Sequence, residues 1–198
     1  MSLSGKIRPQ YKALAPKSNA GFTLIELVVV IIVLGILSVV AAPKFINLKS
    51  DAHHSVLQGM KGAVSSGNSL VYSKALIQGK ETQAVASVDL GASIGSTLLA
   101  YGYLPTSLQF LPQDTKSLGP IDRVIFNSIT TALNIDATHL TSTDEVVMSE
   151  WGIMTHEPDS YISFVPRGLS VDSLCLLEYT GVNAQGDEPM LNVINQGC

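Results

Sequence analysis

From Phe22 to Ala42 the chain reads FTLIELVVVIIVLGILSVVAA, apolar throughout apart from Thr23, Glu26 and Ser38. At about 1.5 Å per residue such a run makes a helix long enough to cross the hydrocarbon core of a bilayer. After Pro43 the pattern becomes amphipathic. Phe45, Leu48, Ala52, Val56, Met60, Ala63, Gly67, Val71 and Ala75 recur at steps of three or four, while Lys44, Lys49, Asp51, Lys61 and Lys74 fall elsewhere on the wheel. This predicts a helix running to about Gly79, its apolar stripe packed beneath a head domain and locally weakened at Gly59, Gly62 and Gly67. Lys80–Gly119 is rich in Gly, Ser, Thr and Pro and has no clear period, which predicts a long excursion with a short helix near Ser93–Ala100. Ile121–Ile135 is a second amphipathic helix, opened by Pro120. Beyond it, Glu145–Met154, Tyr161–Pro166, Ser173–Thr180 and Met190–Ile194 are short apolar or alternating runs separated by Gly, Pro, Asn and Asp. An α+β fold follows, with an antiparallel sheet of about four strands packed on the long helix.

With 198 residues the chain has room for one domain besides the apolar run. Its net charge of −4 is unevenly spread: Met1–Gly21 carries Lys6, Arg8, Lys12 and Lys17 and no acid. The remainder is acidic, with no basic tract and no aromatic–basic interleaving, which argues against nucleic acid as a partner. A basic leader before an apolar run fits two arrangements for export. A secretory signal peptide would be cut after Val40-Ala41-Ala42, but the run is long for a signal core and Pro43 would follow the cut. An uncleaved anchor keeps its basic end in the cytoplasm and sends the C-terminal part across.

Glu26 bears on this choice. A carboxylate in a spanning helix costs roughly 2.5–3.5 kcal/mol at mid-membrane, less near the edge, and by default marks function. In the uncut chain the closest base is Lys17, so the acid is expected to lack a partner. Cleavage after Gly21 would create an α-ammonium on Phe22, one helical turn from Glu26. The two charges can neutralise each other within a chain or between staggered neighbours, and the helix N-terminus favours the acid as well. The sequence thus predicts processing at Gly21–Phe22 with the apolar helix retained.

Other candidate chemistry is weaker. His53 and His54 are adjacent, hence about 100° apart on a helix; they present no paired ligand face and read as solvated. Gly91-Ala92-Ser93-Ile94-Gly95 fits the nucleophile elbow G-x-S-x-G, with His139 or His156 as base and Asp136 or Asp144 to orient it. An elbow requires parallel strands before it, whereas here the upstream chain is a spanning helix and its extension; a chance match in a Gly/Ser-rich loop is the expected reading. The two cysteines, Cys175 and Cys198, can pair in an exported domain, contributing roughly 3 kcal/mol for a loop of this size; the alternative is two free thiols.

Gly21-Phe22-Thr23-Leu24-Ile25-Glu26, behind a basic leader and ahead of the apolar run, resembles the processing site of type IV pilins and related pseudopilins. In that family a membrane-embedded prepilin peptidase cuts after the glycine and methylates the new N-terminal phenylalanine, and the retained helices pack into the core of a fibre. Gly35 and Pro43 fall where family members loosen or bend that helix. Ser18-Asn19-Ala20, just before Gly21, depart from the family pattern in offering no adjacent base. Ala41–Phe45, Leu57–Ala63 and, more loosely, Tyr101–Pro105 resemble the mannose-sensitive haemagglutinin pilin group.

The resemblance implies a type IV pilin fold: a cleaved leader over 1–21, a transmembrane and assembly helix over 22–43, its amphipathic continuation over 44–79, and a head over 80–198. Cys175 and Cys198 would bound a loop like the one by which pilins display a variable surface, with Tyr179, Asn183, Asp187 and Glu188 able to touch a partner. The implied role is structural and not enzymatic, without cofactor or metal. The subunit would be single-pass in the inner membrane before assembly and then part of an extracellular fimbrium used for attachment. Its implied partners are further copies in a homo-oligomeric helical filament, other pilins, the peptidase and the inner-membrane assembly machinery. A type II secretion pseudopilin shares this N-terminus and is the alternative; the C-terminal cysteine pair and the haemagglutinin-like helix argue against it.

Overall fold

A computed structural model describes residues 21–107, 120–156 and 159–198. The chain forms two compact units, Met1–Lys44 and Phe45–Cys198. Helix α1, Leu24–Ile77, contributes residues to both. In the first unit its span Leu24–Ala42 has a mean hydropathy of 3.1 and buries nothing. No other described helix is both long and apolar enough to cross a membrane.

In the second unit α1 presents Leu57, Met60, Val64, Asn68, Val71 and Ala75 to the core. The expected stripe is met at Met60, Val71 and Ala75 but is displaced by one residue elsewhere: Val56 and Ala63 are exposed while Leu57 and Val64 are buried. At each displaced position the bulkier neighbour goes inward, where it removes more apolar surface from water. Gly67 lies against Leu133, where a Cβ would collide with a methyl group of that leucine. The helix stops in a Schellman arrangement. Gly79 takes φ 63°, its N–H donates to the Leu76 carbonyl, and the Lys80 N–H donates to the Ala75 carbonyl at 2.9 Å.

The expected helix near Ser93–Ala100 is instead a strand. β1, Ala86–Asp89, and β2, Ser96–Leu99, form a two-stranded antiparallel hairpin in the register Ala86↔Leu99 to Asp89↔Ser96. A short apolar run has no period of its own to decide helix from strand. Here the tight turn between Gly91 (φ 116°) and Gly95 (φ 90°) decides it by folding the run back on Ala86–Asp89. Helix α2, Ile121–Leu133, starts where expected but stops short of the expected Ile135, because Asn134 takes the left-handed conformation that ends a helix.

The main sheet has five strands in the order β3-β4-β5-β6-β7: Ala137–His139, Trp151–His156, Tyr161–Pro166, Leu176–Thr180 and Met190–Ile194. β4 to β7 are antiparallel neighbours, as the strand pattern predicts, and α+β is the class observed. The additional edge strand β3 runs parallel to β4. β4 begins only at Trp151, since Glu145–Glu150 is irregular, and Val171–Ser173 is a 3-10 turn before β6. One face of the sheet packs on α1 and α2 through Ile153, Ile162, Phe164 and Leu177. The other carries a smaller cluster of Leu140, Val147, Val165 and Leu176.

Tyr179 links three segments. Its buried hydroxyl donates to the Leu104 carbonyl at 2.8 Å, while Asn68 Oδ1 accepts the Leu104 N–H at 3.0 Å. Burial pushes the phenol above its ordinary range, so it stays a donor at any physiological pH. Tyr179→Phe removes the donor but leaves the carbonyl buried. It is expected to destabilise the fold by about 1–3 kcal/mol, measured as a lower denaturant midpoint with unchanged m-value.

Candidate processing and assembly site

Residues 21–23 precede α1, and Thr23 stands at its N-cap position. The Thr23 N–H and hydroxyl each donate to Glu26 Oε2 at 2.8 Å, and the Glu26 N–H donates back to Thr23 Oγ1 at 3.3 Å. This is a reciprocal capping box, Thr at the cap and Glu at the third helical position. It corrects the expectation that the carboxylate lacks a partner before cleavage. Thr23-x-x-Glu26 spells the motif in the sequence, and its two bonds satisfy free N-terminal donors of the helix. Both Thr23 bonds fall on Oε2, and Oε1 accepts no hydrogen bond from a described residue. One oxygen thus starts the helix while the other stays open to a second donor.

Phe22 is 92% exposed, and the large side chains from Leu24 to Val40 are also turned outward. Glu26 is the sole ionisable residue from Phe22 to Ala42. Ser38, a polar group within this run, donates to the Leu34 carbonyl at 2.7 Å, so its hydroxyl does not need water. Gly35 is helical, with open space where a Cβ would stand, and the helical assignment continues through Pro43.

Cys175 and Cys198 form a disulfide with Cα atoms 4.9 Å apart, closing a segment that is not a free loop. It contains β6 and β7, paired from Leu176↔Ile194 to Thr180↔Met190. Tyr179, expected at its surface, is in the core, because the strand alternation turns it inward with Leu177. Asn183, Asp187 and Glu188, in the β6–β7 connection, are exposed. His53 and His54 are half-buried, not fully solvated: His54 Nδ1 lies 3.3 Å from the side-chain nitrogen of Asn195, which links α1 to the C-terminal segment.

The elbow-like residues do not converge. Ser93 is exposed in the β1–β2 turn, whereas an elbow joins a strand to a helix. His139 faces Asp122, and His156 Nε2 lies 3.0 Å from Ser163 Oγ with its ring stacked on Tyr161. Asp144 accepts from the Ser142 hydroxyl, and the backbone carbonyl of Asp136 accepts from Trp151. Among the described residues no hydrogen bond joins Ser93 to either histidine.

Comparison with known proteins finds one family match, in the N-terminal segment, and a partial relative. Residues 16–42 match the prokaryotic N-terminal methylation motif, an interval that takes in Gly21, Phe22 and Glu26. The matched interval is similar to the N-terminal segment that carries the methylation motif in other prokaryotic proteins. The chain is 37% identical over 81 residues to the type IV narrow pilus major component PilA5 of Thermus thermophilus. That match takes in 39% of this chain and 66% of the relative, so the chain spans less than two thirds of its length. No solved structure matches the chain.

Replacing both Cys175 and Cys198 by Ser is expected to cost about 3 kcal/mol. Thermal unfolding should shift to lower temperature, and amide exchange should quicken first in Met190–Ile194, the strand the cross-link holds in place.

Proposed function

We propose that the chain is a structural subunit of a type IV pilus, cut between Gly21 and Phe22 and polymerised through its apolar helix. The observation that carries this reading is the exposed span Leu24–Ala42 opening with a cap that leaves one Glu26 oxygen free. In water each uncovered Val, Leu or Ile side chain costs about 1.5–3 kcal/mol, so the span needs a bilayer or neighbouring helices around it. Lipid tails cover it before assembly. Outside the membrane, copies of the same helix have to do so.

On this reading a prepilin peptidase removes residues 1–21 and methylates Phe22. The Phe22 ammonium, on the same chain or a staggered neighbour, then meets Glu26. In a low-dielectric fibre core this pairing lowers the cost of burying each charge alone, and it fixes the axial register of the subunits. Gly35 and Pro43 are the points at which the helix yields on assembly: Gly35 carries no side chain to resist close approach, and Pro43 cannot donate a helical hydrogen bond. The inner-membrane assembly machinery lifts the subunit out, the head Phe45–Cys198 lies on the fibre surface, and the fibre serves attachment. The likeness of Leu57–Ala63 to the mannose-sensitive haemagglutinin pilins supports a subunit of that group.

Mass spectrometry of the protein from membranes or fibres is expected to find an N-terminus of methylated Phe22. An intact leader, or a start at Pro43, overturns the processing step. Glu26→Gln retains a side chain able to complete the capping box but carries no charge. It is expected to insert normally and give few or no filaments by electron microscopy, whereas wild-type filament yield would remove the charge from the assembly role.

A further inference from the structure

One cleft in the head combines aromatic rings with acids and holds no base. Tyr72 on α1, Glu81 just beyond that helix, Tyr101 and Tyr103 after β2, and Asp187 and Glu188 in the β6–β7 connection surround a space of about 310 Å³. The aromatic side is held in shape. Tyr72 and Tyr103 stack with ring centroids 4.7 Å apart. The turn from Ala100 to Tyr103 closes with two backbone hydrogen bonds of 2.9 Å, and its middle residues Tyr101 (φ 47°) and Gly102 (φ 84°) are both left-handed. A Cβ on Gly102 would stand 2.8 Å from the Tyr72 ring, so the bare glycine lets the turn lie against that ring. The Tyr101 N–H donates to the Gln83 carbonyl at 2.9 Å, tying the turn to the segment that carries Glu81.

Among the described residues no Lys, Arg or His lines the cleft, and none of its three acids forms an ion pair. Glu81 Oε2 is buried and accepts no hydrogen bond. Leaving a buried acceptor unmet is costly, so its position beside an open space marks a place for a donor. Across the cleft, Asp187 Oδ2 accepts the Ala184 N–H at 3.0 Å, which holds the connection in a defined turn.

We propose that this cleft binds a primary alkylammonium group, of the kind carried by a lysine side chain or a free polyamine. An N–H of that group meets Glu81 Oε2, its charge is balanced by Glu81, Asp187 and Glu188, and its methylene stem lies on the tyrosine rings. A metal ion does not suit the lining: among the described residues no group of three or more His, Cys, Asp or Glu is placed to hold one. A neutral sugar leaves three negative charges uncompensated, and a quaternary ammonium has no donor to give Glu81. Burial, with Tyr72 and Glu188 adding to it, pushes the Tyr103 phenol above its ordinary range, so this wall stays an uncharged ring at neutral pH. Binding here needs neither cleavage nor polymerisation, so the assignment stands apart from the pilus reading.

The test is a titration of the full chain in detergent micelles, followed by NMR of ring-labelled tyrosine. Nα-acetyl-lysine amide is expected to give saturable shifts at Tyr72, Tyr101 and Tyr103. It should bind at least about tenfold tighter than Nα-acetyl-norleucine amide, which has the stem without the ammonium. Cadaverine separates the two sources: tighter binding of the lysine probe assigns the site to a protein partner, tighter binding of the diamine to a free polyamine. Glu81→Gln keeps the size of the side chain and should weaken binding about tenfold. Asp187→Asn with Glu188→Gln should weaken it about two- to fivefold, and on an exposed connection this pair keeps the test valid even if Glu81→Gln fails to fold. Asp122→Asn, on α2 and outside the cleft, should leave binding unchanged. Absence of saturable binding, equal affinity for the norleucine amide, indifference to the acid substitutions, or loss with Asp122→Asn each overturns the assignment.

Discussion

A helix apolar on every side cannot be satisfied by the chain that carries it. The span Leu24–Ala42 buries nothing against the protein, so whatever surrounds it must come from outside; on the function proposed above, that is lipid first and other helices afterwards. The rest of the first unit is subordinate to that constraint. Thr23 and Glu26 close the helix start with their own bonds, so the chain enters the apolar region with its first donors already occupied. The acid that makes the span unusual is thus a structural element before it is anything else, and one of its oxygens is left over for a second task.

The head solves a different problem. There α1 has one buried face, and everything that follows is arranged to cover it: the β1–β2 hairpin, α2, and the inner face of the β4–β7 meander. A polar link through Asn68, Leu104 and Tyr179 runs among these apolar surfaces. It fixes which residue of α1 meets which residue of β6, which apolar contacts alone specify less sharply.

Where the residues carry a period, the sequence is a good guide. Tyr161–Pro166 and Met190–Ile194 are strands over the bounds their patterns suggest, and Ile121 starts α2 after Pro120 as expected. Where the deciding partner is remote, the sequence is a poor one. Ala137–His139 is too short to have a period and becomes a strand because β4 is beside it. Ser96–Leu99 takes its state from a turn and from Ala86–Asp89. The stripe on α1 is displaced at Leu57 and Val64 because packing compares side-chain volumes that a hydrophobic wheel treats as equal. At the candidate site, the Thr23-x-x-Glu26 spacing was fully legible as a cap, and it accounts for part of what a lone acid suggests. The meeting of Asp122 with His139 obeys no spacing rule, since α2 and β3 are brought together only by the fold.

The bond between Cys175 and Cys198 has one more consequence. Beyond β6 the chain crosses an exposed connection, Asn183–Glu188, before returning as β7. Both ends of this excursion are anchored, one by the main chain and one by sulfur. A protease that nicked the connection would release no fragment: β7 would stay hydrogen-bonded to β6 and covalently attached, the break showing only after reduction. The tip of the head can therefore be cut, lengthened or rewritten while the sheet beneath it remains whole.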